Sequence, residues 1–125
     1  MKVISVSGSL LEYLGGPPLV TVKLSELLEQ YFDHELIVFG QQEKFFQSNF
    51  ILRTLFNNRF GFFLFPNKQV VSIIKSADIM VCHGYYMYST LFARFISPVK
   101  LLVIPHGSLD DYNQSKNKFF KYLFD

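Results

Sequence analysis

Cysteine occurs once, at Cys82, so no disulfide can close within the chain, and a reducing compartment, the cytoplasm, is the simplest expectation. Long apolar runs are missing too. The longest uncharged stretch, Ile79 to Ala93, holds 15 residues with polar and glycine positions inside it, short of the roughly 20 that a spanning helix needs. A signal peptide is not expected either: Val3 to Leu11 is broken by Ser5, Ser7, Gly8 and Ser9, and no charged segment precedes it. Excess charge of one sign is lacking as well. Lys and Arg exceed Asp and Glu by only two, too small a surplus to argue for a nucleic-acid footprint, which needs basic residues gathered on one face, so nucleic acid is not expected as a partner.

Two phosphate-binding signatures are absent. The dinucleotide fingerprint requires Gly-x-Gly-x-x-Gly directly after the first strand and an acid near the end of the second. Here Gly8 is followed by Ser9 and Leu10, and the second apolar run ends Val38-Phe39-Gly40-Gln41. No Gly-Lys-Ser or Gly-Lys-Thr exists to form a P-loop. Tryptophan is absent, whereas 15 Phe and 7 Tyr are present. Spread through the sequence, they are assigned mainly to the core.

What remains is an alternation of short apolar runs and helical patterns in a chain of 125 residues, enough for one domain with a real core. Lys2 to Val6 and Leu36 to Phe39 read as strands, as do Ile79 to Cys82 and Val99 to Ile104. Between them, Pro17 to Phe32 has helical spacing, with Leu19, Val20, Leu24, Leu27, Leu28 and Tyr31 as the expected apolar stripe. Pro17 and Pro18 suit its first turn. Pro66 to Ser76 is the next helix, with Asn67 as a cap and Val70, Val71, Ile73 and Ile74 available to face a sheet. Tyr88 to Ile96 and Ser115 to Phe124 complete the helices. Gln41 to Asn67 stays open: Phe45 to Phe56 allow a helix, and Arg59 to Phe65 a loop or strand. Strands alternating with helices predict an α/β domain with a Rossmann-like parallel sheet covered on both faces.

In such sheets ligands bind at the carboxyl ends of the strands. Pro105-His106-Gly107 follows the last strand there, and His83-Gly84 follows the one before. A neutral imidazole exchanges hydrogen bonds with a sugar hydroxyl or a leaving oxygen, and a protonated one offsets phosphate charge. For His106 a site role and a turn role stand level; for His83 a packed or turn-capping histidine is the plainer reading. His34, between Asp33 and Glu35, is expected in a surface turn. Gly15 and Gly16 precede a helix start, where free N–H groups and positive dipole suit an anion, a diphosphate by this reading. A glycine needed only for the turn is the equal alternative. No metal site is expected, since Cys82 and His83, adjacent in a strand, point to opposite faces. Lys116, Lys118 and Lys121 lie among Phe119, Phe120, Leu123 and Phe124. That helix could meet an anionic membrane surface, or simply have one core face and one solvated face. The chain stops inside this pattern, and a further segment is expected beyond Asp125.

Four segments together give the chain a likeness. They are Gly15-Gly16-Pro17 with the helix behind it; Asp33-His34-Glu35-Leu36-Ile37-Val38; Ala77-Asp78-Ile79 through His83-Gly84; and Pro105-His106-Gly107-Ser108-Leu109-Asp110 with the Lys-rich helix after it. In their order and spacing the chain resembles the N-terminal, acceptor-side half of family 4 glycosyltransferases, retaining enzymes of the GT-B type built from two facing Rossmann-like domains. The resemblance implies that Gly15 and Gly16 approach the diphosphate of a nucleotide-sugar donor, and that His106 stands near the donor sugar and the reacting centre. It makes His83 and Gly107 cleft residues, the acceptor a glycan or lipid-linked molecule, and the location the cytoplasm or its membrane surface, with no cofactor. Val81 and Asp111-Tyr112 depart from a histidine and a Pro-Trp that the family often has. The donor-gripping domain does not fit within the sequence, so a partner chain or further domain is implied and the chain alone is expected to be inactive. The alternatives are a non-catalytic remnant or interaction domain, and a stand-alone nucleotide-binding regulator.

Overall fold

A computed structural model of the chain describes residues 1–11, 16–40, 52–54, 68–84, 88–96 and 99–106. Its centre is β1 (Lys2–Ser7), flanked by β2 (Asp33–Val38) and β4 (Ile79–His83), with β3 (Leu52–Thr54) and β5 (Lys100–Ile104) outside them. The order is β3-β2-β1-β4-β5, and every pairing is parallel. The Rossmann-like sheet expected from the alternation is therefore present. Leu36 to Val38 pair with Leu52 to Thr54, so this part of the open segment is a strand rather than a helix. Three residues are too few for periodicity to tell the two apart. The rest of that segment, Asn67, Gly15, Gly107 and the expected helix 115–124 lie outside the described residues.

Alternation along the strands builds two cores. Ile4, Val6, Ile37, Phe39, Met80 and Cys82 line one face with Val70 and Ile74 of α2 (Lys68–Lys75) and Ala93 of α3 (Tyr88–Ile96). Phe92 of α3 meets Phe39 edge-on, ring centroids 5.7 Å apart. Burying each large side chain here contributes about 1.5–3 kcal/mol. On the opposite face Leu10, Leu36 and Val38 pack with Val22 of α1 (Gly16–Glu29).

α1 corrects one expectation. Its buried residues are Pro18, Thr21, Val22 and Ser25, whereas Leu19, Val20 and Leu27 of the expected stripe are about half exposed and Tyr31 is 72% exposed. The sheet surface on this side supplies the reason. Val3, Ser5 and Ser7 alternate with Ile4 and Val6 on β1, so the strand offers small side chains to the helix. Small residues on α1 suit a close approach, Leu24 and Leu28 of the stripe stay partly buried, and Leu19, Val20 and Leu27 turn outward. The helix also ends at Glu29 rather than Phe32.

The amino edge of the sheet is fastened at one point. The Asp78 amide donates to the Lys2 carbonyl at 2.9 Å, and the Lys2 amide donates to Asp78 Oδ2 at 2.7 Å. Lys2 Nζ also lies 3.5 Å from Glu35 Oε1.

Candidate functional site

The strand order reverses between β1 and β4, where successive connections run to opposite sides of the sheet. Outside the carboxyl ends of the strands at such a point, open α/β sheets form a crevice. His83 is the last residue of β4 and stands opposite Ile104, the last of β5. Met80 and Cys82 belong to the α2/α3 core, so alternation places His83 on the α1 face, and Cys82 and His83 do point apart. Burial pushes the Cys82 thiol up to about 12, against a hydrogen bond with Thr90 that lowers it.

Two turns complete the strand ends. After β4, Gly84 takes φ 93°, in the left-handed region that favours glycine. Its amide donates to the Ile104 carbonyl at 2.7 Å, and Thr90 Oγ1 donates to its carbonyl. After β5, His106 itself is left-handed, with φ 49°, a conformation that costs a non-glycine residue about 1 kcal/mol. The result is a contact between imidazoles: His83 Nδ1 lies 3.1 Å from His106 Nε2. The two rings lie side by side and nearly parallel, at an interplanar angle of 17° with their centroids 5.4 Å apart.

His83 is buried and His106 partly so. Burial lowers the His83 pKa to about 4, and the neighbouring His106 and His34 oppose a positive charge there in the same sense. Burial also lowers that of His106. At neutral pH both rings are uncharged, and one proton occupies the bond between them. The pair is therefore suited to hydrogen bonding with a neutral or oxygen-rich ligand, and poorly suited to countering phosphate charge.

Gly16 begins α1. This helix leaves the carboxyl end of β1 and returns to the amino end of β2, so Gly16 and His106 stand at the same edge of the sheet. Among the described residues, a Cβ built on Gly16 would meet no atom within 4 Å, so packing against them does not demand glycine there and leaves the approach to its backbone open. The free amides expected at this helix start are fewer than four: Pro17 and Pro18 have no N–H, leaving those of Gly16 and Leu19. Anion contact at α1 would rest on open approach and dipole more than on a row of donors.

His34 is the clearest correction. It is not in a surface turn but inside β2, 4% exposed, with Nε2 2.8 Å from Ser5 Oγ. Charged neighbours in sequence suggested solvent, yet parallel pairing of β2 beside β1 carries this position under α1. Burial lowers its pKa to about 4, although Glu35 and Asp33 pull upward. An open depression of about 730 Å³ lined by Lys68, Val71, Ser72, Lys75 and Ser76 follows the outward side of α2. Its polar groups are surface lysines and serines, so the strand-end crevice remains the better candidate. No family model, curated protein or solved structure matches the chain.

Proposed function

We propose that the chain is the acceptor-side half of a retaining glycosyltransferase of GT-B type, which moves a sugar from a nucleotide-sugar donor to a glycan or lipid-linked acceptor. The observation that carries this reading is the shared edge of Gly16 and His106, beside a strand-order reversal where ligands bind in this class of sheet. In it the donor diphosphate approaches the open backbone at Gly16. The neutral His106 ring hydrogen-bonds to an oxygen of the sugar or leaving group. Gly15 and Gly107 adjoin these positions, and His83 lines the floor of the crevice. A second, donor-gripping domain or chain completes the enzyme, and the half alone transfers sugar negligibly. Work at the cytoplasmic membrane surface belongs to the same reading, through a lipid-linked acceptor.

A non-catalytic domain that keeps the fold is the second reading, favoured by the exposed apolar residues Leu19, Val20 and Leu27 on α1. Titrating ¹⁵N-labelled chain with a panel of uridine and guanosine diphosphate sugars separates the two. The glycosyltransferase reading expects saturable shifts at the Gly16 and His106 amides, weakened tenfold or more by Gly16→Ala at unchanged stability. No shift at either residue with any donor, or an ordinary enzyme turnover by the chain alone, overturns it.

A further inference from the structure

His83 has a defined environment and, so far, no defined task. Its Nδ1 faces His106 Nε2 at 3.1 Å, while its Nε2 is buried and, among the described residues, has no hydrogen-bond partner. We infer that His83 is a positioning residue whose Nδ1–H donates to His106 Nε2, fixing His106 as the tautomer that carries its proton on Nδ1.

Two proton arrangements satisfy the 3.1 Å contact between neutral rings. In one, His106 Nε2–H donates; His83 must then carry its own proton on Nε2, an N–H donor sealed in the interior without an acceptor. Leaving a buried donor unpaired costs about 1–3 kcal/mol, and orphaned buried N–H groups are rarer than under-used acceptors. In the other, His83 Nδ1–H donates, and only a lone pair is left on the buried Nε2. The second arrangement is favoured by the surroundings of His83 alone. His106 Nε2 then accepts, and its proton resides on Nδ1, the minor form of free neutral histidine.

His106 holds a strained left-handed conformation at the turn after β5, and the bond to a buried ring fixed at the end of β4 offsets part of that strain. Protonation of both rings would destroy the arrangement, because two imidazolium donors cannot share one bond. The consequence for the site is directional: His106 presents a neutral N–H donor at Nδ1, so its partner is an oxygen acceptor rather than a hydroxyl proton to be removed. What that oxygen belongs to rests on the glycosyltransferase reading; the tautomer does not.

The test is two-bond ¹⁵N–¹H correlation spectroscopy of the full chain labelled at histidine, at pH 7.5. The expected pattern is a protonated Nδ1 and bare Nε2 on His106. His83→Phe keeps an aromatic ring in the buried position and removes the donor, and His106 should revert to mostly Nε2–H. His83→Gln restores an N–H donor and should restore the Nδ1–H form. A His106 that carries its proton on Nε2 in the unaltered chain overturns the inference, and so does an Nδ1–H form that survives His83→Phe. The unaltered chain decides the first point even if a variant fails to fold. Failure here leaves the donor titration at Gly16 standing, and failure of that titration leaves the tautomer standing.

Discussion

Ser5 Oγ and His34 Nε2 are 2.8 Å apart across β1 and β2, and both residues are buried. A serine beside a histidine invites a nucleophile reading, but a bond sealed beneath α1 offers no path to a substrate. The pair instead joins the two central strands on the face where their apolar contacts are fewest, since Ser5, Ser7, Thr21 and Ser25 occupy that layer.

Ser5→Ala leaves the Nε2 of a buried imidazole without this bond and should destabilise the fold by about 1–3 kcal/mol. Replacing both partners, Ser5→Ala with His34→Leu, should cost clearly less than the sum of the two single changes, because the stranded polar atom is gone. Urea unfolding of the four proteins at pH 7.5 measures this. Additive losses would show that the two side chains do not interact.

That pair also marks how far the sequence could be read. Four of the five strands and all three helices among the described residues follow from apolar periodicity and from proline and glycine punctuation, because those patterns act locally. The reading of β2 began at Leu36 and missed Asp33, His34 and Glu35, whose polarity looks like a turn. Their place in the sheet comes from pairing with Lys2, Val3 and Ile4, a contact made some 30 positions away. The outward stripe on α1 has the same origin: its periodicity is correct, but the small residues of β1 decide which side is buried. At the site, the repeated His-Gly after two strands signalled a shared edge, whereas the imidazole contact required the register of His83 with Ile104.

Acid should weaken the fold in a defined window. His34 and His83 have an ordinary pKa of 6.5 when unfolded and about 4 when folded. Below pH 6.5 the unfolded chain binds a proton on each ring that the folded chain refuses. Stability is therefore full above that pH and is lost as pH falls from about 6.5 to about 4, by roughly 1.4 kcal/mol per pH unit for each ring at the steepest part. Urea midpoints at half-unit steps, compared with a His34→Leu variant, should show a shallower slope in the variant. Equal slopes would contradict the assignment.

At His106 the backbone angle and the side chain can be separated. His106→Ala and His106→Gly both remove the ring and its bond to His83, but only glycine is at ease at φ 49°. The glycine variant should be more stable than the alanine variant by about 1 kcal/mol, the reverse of the usual order. Thermal unfolding of the two reads this directly; alanine at or above glycine would mean that the turn is not strained.

The double clasp between Lys2 and Asp78 also settles a practical matter of handling. It holds the start of β1 at the margin of the sheet opposite the imidazoles, with Met1 exposed outside it. Six strand residues at roughly 3.3 Å each put about 20 Å between that point and the crevice. An affinity tag or fluorescent protein joined ahead of Met1 therefore emerges from the far pole of the molecule, and the assays above can be run on fused protein without obstructing the mouth they probe.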